Sequence, residues 1–194
     1  MRLSKKTFHK MGWFTLFGFG IVGYALIHFW QKQDFLNILL LDEPVWFHIV
    51  FGAIIGALIT QIISLIIDIS WFENMRNYFV DLIGPIQLPL SSIVFVSFCA
   101  GVGEEIFFRG ALQFWIGIWL TSIVFVALHG YVNPKNIKMT IYGLLLIVAS
   151  AGFGYLADYV GLLSAIVAHI LYDIIMFCKL NSYYKESTTI YPNR

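Results

Sequence analysis

Charged residues are scarce in this chain of 194 residues. They account for 12% of it, whereas hydrophobic residues account for 59%; soluble globular domains have about 25% charged and about 45–50% apolar residues. A soluble protein of this size needs polar side chains over its whole surface, and this chain has too few of them. Because a lipid bilayer tolerates an apolar outer surface, the composition indicates an integral membrane protein.

An excess of one charge and paired cysteines are also lacking. The 12 basic and 11 acidic residues give a net charge of +1, so no basic surface for nucleic acid is expected. Cys99 and Cys178 both lie inside apolar segments, which argues against a disulfide framework. The sequence has neither a Cys-x-x-Cys spacing nor a Gly-x-Ser-x-Gly motif, so it indicates neither a zinc finger nor a serine hydrolase.

Long apolar segments are what the sequence has in abundance. A membrane helix needs about 20 mostly apolar residues. The candidate segments are residues 11–30, 45–70, 88–115, a shorter run that ends at 129, 139–156 and 160–178. Gly117 marks a turn or kink between the third and the fourth. The sequence therefore predicts an all-α polytopic bundle of about six spans, which forms a single membrane domain over residues 1–194.

The connections between these segments predict the orientation of the bundle. Connection 31–44 is net acidic, whereas the N-terminus, connection 130–138 and the tail are basic. The basic residues counted are Arg2, Lys5, Lys6, Lys10, Lys135, Lys138, Lys179, Lys185 and Arg194. An even number of spans places these basic regions on one side, which the positive-inside rule assigns to the cytoplasm. Both termini are therefore expected to be cytoplasmic.

Six ionisable residues lie inside the apolar segments. Such groups cost about 2.5–3.5 kcal/mol each on insertion scales, normally face the protein interior and mark function. The six are Glu104, Glu105 and Arg109 in the third segment, His129 in the fourth, and His169 and Asp173 in the last. Their occurrence in three apolar helices predicts one shared buried site.

The spacing of these residues indicates how they pair. Glu105 and Arg109 are four residues apart and can form an ion pair on one helix face. That pairing leaves Glu104 as a free carboxyl group that is suited to act as a general base. His169 and Asp173 share the same spacing, so the carboxyl group could orient the imidazole, or both groups could point at one substrate group. Each element also has a structural interpretation: a buried ion pair, an interfacial histidine at position 129, or a polar clamp between helices.

Three ordered motifs carry a resemblance to a known family. They are Glu104-Glu105-Ile-Phe-Phe-Arg109, Phe125-Val-Ala-Leu-His129 and His169-Ile-Leu-Tyr-Asp173. The chain thereby resembles the CPBP family of intramembrane proteases, also called the CAAX protease or Abi family. That family has the pattern Glu-Glu-x-x-x-Arg, Phe-x-x-x-His and His-x-x-x-Asn or Asp. The resemblance covers residues 88–178, which are expected to form the catalytic core.

The resemblance implies a membrane endopeptidase in a bacterial plasma membrane. Glu104 would activate water, His129 would hold the same water, and His169 with Asp173 would position the substrate carbonyl or stabilise the oxyanion. Glu105 and Arg109 would fix the helix. The expected substrate is a membrane-embedded or lipidated peptide. Asp173 replaces the Asn of the branch that trims prenylated CAAX proteins, so that particular substrate is not implied.

Three alternatives stay open from the residues alone. Glu104, His129 and His169 could instead bind Zn²⁺, because three protein ligands and a water form a hydrolytic zinc site; the metal-free glutamate mechanism is preferred here. The chain could also be a non-catalytic bacteriocin self-immunity or partner-binding protein. A small proton-coupled transporter is the third alternative, although no pair of inverted repeats is evident.

Overall fold

The structure is a computed structural model that describes residues 4–190. Within that range the chain forms helices and no β-strand. The helices are α1 (Lys5–Gln31), α2 (Phe35–Leu40), α3 (Val45–Ile67), α4 (Glu73–Ile83), α5 (Leu90–Leu128), α6 (Ile137–Tyr159) and α7 (Leu162–Ile190). Five of them, all except α2 and α4, are long and apolar enough to cross a membrane. The predicted all-α membrane bundle is confirmed.

Helix α5 contains the third and fourth predicted segments and reverses direction between them. His129 follows Glu104 by 25 residues, which a straight helix would separate by about 38 Å. However, the Nε2 atom of His129 lies 3.8 Å from the Oε2 atom of Glu104. The reversal falls at Gly117, whose backbone has φ 74° and ψ 170°. The third and fourth predicted segments therefore form the two arms of one helical hairpin, α5. The six predicted segments correspond to the five long helices α1, α3, α5, α6 and α7.

The two arms of α5 differ in length. The first arm covers residues 90–116, and Glu104 lies near its middle. The return arm, residues 118–128, has a length of about 16 Å at 1.5 Å per residue. That is about half of the 30 Å hydrocarbon thickness of a bilayer. His129, at the end of this arm, is thus brought to the level of Glu104 along the first arm.

Helices α3 and α7 approach closely through small residues. Gly52 and Gly56 of α3 face Ser164 and Ala168 of α7, and a Cβ atom added to Gly56 would lie 2.7 Å from the backbone of Ala168. Small residues at this spacing allow membrane helices to pack backbone against backbone. The contact fixes α7, and with it His169, against the bundle.

The two ends of the described chain meet at one end of the bundle. The rings of Phe8 and Phe177 pack with their centroids 6.1 Å apart. At the same end, Nζ of Lys179 donates a hydrogen bond to Oδ2 of Asp68 over 2.6 Å. Arg76 of α4 donates to the backbone carbonyl of Asp68 over 3.3 Å. These contacts attach α4 and the end of α7 to the end of α3.

Helix boundaries differ from the sequence prediction at both chain ends. Helix α1 begins at Lys5 rather than at residue 11, because the Ser4 side chain accepts a hydrogen bond from the Thr7 amide and caps the helix. Helix α7 continues past residue 178, and Asn181 anchors this polar extension by donating to the Leu88 carbonyl over 3.0 Å. Arg2 and Arg194, which entered the orientation prediction, lie outside the described residues.

Large apolar side chains cover the outside of the bundle. Phe29, Trp30 and Leu128 are 71%, 76% and 70% exposed. The buried ionisable residues Glu104, Glu105, Arg109 and His169, by contrast, lie in the interior between α5 and α7, and His48 is buried where α3 packs on α7. This inverted distribution is the one expected of a chain whose surroundings are lipid.

Candidate active site

All six ionisable residues that the sequence singled out converge in the interior. The first arm of α5 supplies Glu104, Glu105 and Arg109, and the end of the return arm supplies His129. Helix α7 supplies His169 and Asp173. A π-helical segment, Ile106–Leu112, follows Glu105 directly; such segments often occur at functional sites.

Glu105 is the centre of what we call the buried network, which consists of Glu105, Arg109, His169 and Ser150. Its Oε1 atom accepts hydrogen bonds from Nη1 of Arg109 over 2.8 Å and from Nδ1 of His169 over 2.7 Å. Nη2 of Arg109 donates to Oγ of Ser150 over 2.8 Å. The side chains of Glu105 and Arg109 are fully buried, and ion pairs of this kind require such additional hydrogen bonds.

The network bears on a choice that the sequence left open. Asp173 could orient the imidazole of His169, or both groups could point at one substrate group. Oδ2 of Asp173 lies 3.8 Å from Nε2 of His169, beyond hydrogen-bonding distance, and Glu105 holds the imidazole instead. The spacing of four residues within one helix suggested Asp173, whereas Glu105 reaches His169 across two helices.

Glu104, His129 and Asp173 form a second set, which we call the facing group. Oε2 of Glu104 lies 3.8 Å from Nε2 of His129 and 4.0 Å from Nε2 of His169. These atoms point at one another without direct hydrogen bonds. Asp173 approaches the same Nε2 atom of His169 from its own helix. His129 is the most open member, with 40% of its side chain exposed, and Glu104 has 11%.

Hydrogen bonds on the far side of each imidazole fix where its protons lie. Nδ1 of His129 lies 2.7 Å from the backbone carbonyl of Phe125. A carbonyl only accepts, so Nδ1 carries a proton. Nδ1 of His169 donates to Glu105 for the same reason. In the neutral form of either ring, the Nε2 lone pair therefore points toward Glu104.

The ring of Phe125 packs against three of these groups. Its centroid lies 4.5 Å from the Arg109 guanidinium carbon, 4.5 Å from the His129 ring centroid and 5.9 Å from the His169 ring centroid. A guanidinium group over an aromatic face forms a cation–π interaction. The Phe of the second motif thus holds the buried network and His129 in one arrangement.

A cavity of about 530 Å³ opens beside these residues, and we call it the catalytic cavity. His129, His169 and Asp173 line it, together with mainly aromatic and aliphatic side chains. A neighbouring chamber of about 520 Å³ lies under α4 and shares Tyr131, Tyr172 and Asp173 with the catalytic cavity. Glu104 lies behind the two imidazoles rather than in the cavity wall.

Sequence reasoning did not identify several residues that belong to the site. Ser150 was not among the predicted site residues, and its role as a hydrogen-bond partner of Arg109 was missed. Tyr131 and Tyr172 at the junction of the two cavities were missed as well. The one signal for Ser150 was its place in a run of small residues, which is typical of close helix contacts; its partner lies 41 residues away.

The predicted zinc ligands do not form a metal site as they are placed. Among residues 4–190, no group of three or more His, Cys, Asp or Glu side chains is arranged to hold a metal ion. Ligands at about 2.0–2.1 Å around a tetrahedral zinc lie about 3.3–3.4 Å apart. The separations from Glu104 to His129 and His169 are 3.8 and 4.0 Å. Zinc binding therefore stays a prediction, and no chemical step is derived from it.

The fold and the site together define an integral membrane protein with a polar centre of carboxyl and imidazole groups inside its helical bundle. Residues 86–175 match the family model of the type II CAAX prenyl endopeptidase Rce1-like proteins. This match supports the resemblance to the CPBP family of CAAX-type proteases that the three motifs carry. The match includes all six ionisable residues of the site.

One curated relative is similar over a segment of about the same length as the family match. The uncharacterized protein YpbD of Bacillus subtilis (strain 168) is 31% identical over 91 residues, which are 45% of this chain and 45% of that protein. The match thus spans less than half of that relative. No solved structure matches the chain.

Proposed function

We propose that the protein is an intramembrane endopeptidase in which Glu104 activates a water molecule for attack on a peptide bond. One observation carries this proposal: Oε1 of Glu105 is bonded to both Arg109 and His169, whereas Glu104 faces two imidazole nitrogens with no direct hydrogen bond. Two adjacent carboxyl groups in different environments are suited to different roles. In this proposal Glu105 positions His169, and Glu104 takes a proton from the attacking water.

The position of the nucleophilic water follows from the separations within the facing group. A water oxygen about 2.8 Å from each partner bridges two atoms that are 3.8 to 4.0 Å apart. Because the Nε2 atom of neutral His129 presents a lone pair, a water between it and Glu104 donates one proton to each. Glu104 takes one proton as the carbonyl is attacked, and later returns a proton to the leaving amine.

His169 and Asp173 line the catalytic cavity and are assigned to the substrate carbonyl. A carboxylate repels an oxyanion, so Asp173 must be protonated or act through His169. Donors aimed at the developing oxyanion are worth about 10²–10³-fold in rate. In this mechanism, His169 is protonated on both nitrogens: Nδ1 donates to Glu105 and Nε2 donates toward the oxyanion, while Glu105 fixes the ring orientation, as second partners of a reactive histidine commonly do.

The substrate class follows from the walls of the two cavities. Apart from Ser150 and the site residues, the linings are aromatic or aliphatic, which suits a membrane-embedded or lipidated peptide rather than a hydrated one. The end of the bundle where the chain ends meet is assigned to the cytoplasm, since Lys5, Lys10, Lys179 and Lys185 lie on the helix ends there. A bacterial plasma membrane is the proposed location.

The test is proteolysis in reconstituted liposomes. The native chain, Glu104→Gln and His129→Ala are compared at matched expression and thermal stability, against a library of hydrophobic peptides that includes prenylated C-termini. We expect cleavage by the native chain and its loss in both folded variants. Cleavage that persists in Glu104→Gln rules out Glu104 as the base.

The alternatives have separate outcomes in the same preparation. Loss of cleavage on chelation, and its return with zinc, favours the metal mechanism over the metal-free one. Substrate-dependent proton flux without peptide cleavage favours a transporter. A well-folded native chain that cleaves nothing, while it and both variants still protect cells against a bacteriocin, favours an immunity role.

A further inference from the structure

A third cavity lies at the opposite end of the bundle from the chain ends. It has a volume of about 870 Å³ and lies between connection 31–44, the first arm of α5 and the end of α6. We call it the polar vestibule, because Gln33, Asp34, Asn37 and Asp158 line it. With tyrosine counted as aromatic, half of the residues that line it are polar or charged, a larger share than in the catalytic cavity.

Arg109 lies between the polar vestibule and the catalytic cavity. The residue lines the vestibule, whereas its guanidinium group is fully buried. Its Nη2 atom donates to Ser150, and Ser150 lines the catalytic cavity. Arg109 and Ser150 therefore connect the walls of the two spaces.

Unpartnered polar atoms cluster around this connection. Nε of Arg109, Oε1 of Gln113 and Oε1 of Gln31 are buried and have no hydrogen-bond partner among residues 4–190. Their other polar atoms are bonded: Nε2 of Gln113 donates to Asp158 over 2.6 Å, and Nε2 of Gln31 donates to the Ala111 carbonyl over 2.9 Å. Buried polar groups in proteins are nearly always bonded to protein or to water. Both glutamines bond to residues that line the vestibule, Gln31 to Gly110 and Gln113 to Asp158, so water that enters from the vestibule would supply their missing partners.

We propose that the polar vestibule is hydrated and delivers water past Arg109 to the catalytic site. The proposal rests on the endopeptidase function. Each cleavage consumes one water molecule, whose oxygen enters the new carboxyl group and whose hydrogens are shared between the two products. A bound apolar peptide fills the aromatic catalytic cavity and obstructs water entry there. A second route at the opposite end leaves the water supply open while the substrate is bound.

Cysteine accessibility tests hydration without reference to catalysis. Cys99 and Cys178, the free cysteines of the described chain, are first replaced by Ala and Ser. Ala157→Cys then places a thiol on the vestibule wall, and Tyr155→Cys places a control thiol two residues away on the outer, 42% exposed surface of α6. A membrane-impermeant thiosulfonate reagent is added to oriented proteoliposomes from either side.

We expect Ala157→Cys to react about tenfold or more faster than Tyr155→Cys, because the reactive thiolate requires water. The reaction is expected only from the side on which connection 31–44 lies. Equal rates at both positions mean that the vestibule is dry and overturn the proposal. This arm gives a result even if the chain cleaves none of the peptides, an outcome that contradicts the proposed function instead.

Water delivery is tested by blocking the vestibule. Modification of Ala157→Cys with a bulky thiol reagent is expected to lower kcat and leave KM unchanged, because the substrate enters from the other end. The same reagent on Tyr155→Cys is expected to change neither. An unchanged kcat after complete modification of Ala157→Cys shows a hydrated recess that does not supply the site, and the delivery proposal is then abandoned.

Discussion

The buried network and the facing group differ in whether their charged groups form direct hydrogen bonds. In the buried network, Oε1 of Glu105 accepts two hydrogen bonds shorter than 3 Å, and Arg109 also donates to Ser150. In the facing group, Glu104 lies 3.8 Å from His129, and Glu104 and Asp173 lie 4.0 and 3.8 Å from His169. Direct hydrogen bonds lower the cost of burying charges, whereas groups held at a wider spacing leave room for a reactant between them. The two carboxyl groups of one Glu-Glu dipeptide are thus in different environments.

The largest effect is expected from Glu104→Gln. Removal of a general base lowers rates by about 10²–10⁴-fold, and the amide keeps the shape of the side chain. Because Glu104 makes no direct hydrogen bond to the histidines, we expect the unfolding temperature in detergent to change little. Cleavage kinetics and thermal unfolding of the same preparation measure both.

Glu105→Gln is the matched control for this prediction. It changes the neighbouring residue in the same way, but it removes the charge that Arg109 and His169 share. We expect a clear loss of stability together with any loss of cleavage. If Glu104→Gln unfolds and Glu105→Gln does not, the assignment of the two carboxyl groups is reversed.

Arg109→Met tests the buried network itself. The substitution leaves the Glu105 carboxylate buried without its cation, and breaking such a pair costs about 3–5 kcal/mol. Chemical unfolding in mixed micelles measures the free energy of unfolding. The double variant Glu105→Gln/Arg109→Met removes both charges and is expected to recover part of the loss.

Arg76→Met provides the comparison with an open ion pair. Arg76 and Asp68 lie 3.9 Å apart, and their side chains are 19% and 42% exposed. Pairs of this kind contribute about 0–1 kcal/mol. Similar losses for Arg76→Met and Arg109→Met contradict the view that burial makes the Arg109 pair costly to break.

Sequence patterns gave the helices and the six ionisable residues, because both depend on local signals. Apolar runs of about 20 residues mark membrane helices, and a spacing of four residues placed Glu105 beside Arg109. Contacts between distant segments have no such signal. Ser150 beside Arg109 and Glu105 beside His169 depend on how α5, α6 and α7 pack, as does the position of Arg109 between two cavities.

The hairpin of α5 was predicted only in part from the sequence. Gly117 indicated a turn or kink, but the sequence could not distinguish a bend from a full reversal, because both suit the same apolar run. The structure shows a reversal that depends on one backbone conformation. Helix α4 was not predicted, since its charged residues made connection 71–87 resemble an ordinary loop.

Gly117→Ala is expected to weaken the facing group through the backbone alone. The combination φ 74° and ψ 170° is accessible essentially to glycine, and other residues pay about 1–3 kcal/mol there. A Cβ atom at this position meets nothing within 4 Å, so crowding does not contribute. We expect lower stability, and lower cleavage because His129 moves away from Glu104.

Gly18→Ala is the control for that substitution. Gly18 lies in the helical α1, and an added Cβ atom would make an ordinary contact of 3.6 Å with Phe14. Alanine is favoured over glycine in a helix by about 1 kcal/mol, so stability is expected to stay equal or rise. A loss at Gly18 as large as that at Gly117 argues against backbone strain as the cause.

The smallest effect is expected from Ser150→Ala, which removes one hydrogen bond from Arg109. Nη2 of Arg109 still reaches the Ser150 backbone carbonyl at 3.3 Å, so the loss is about 1 kcal/mol of unfolding free energy. Ser164→Ala is the matched control, because it removes a buried hydrogen bond of 2.9 Å to His48 elsewhere in the bundle. Both variants are expected to lose similar stability, and only Ser150→Ala to lower kcat. Equal kcat values in the two variants contradict a link between Arg109 and the reacting groups, since the guanidinium then moves without consequence for Glu105 and His169.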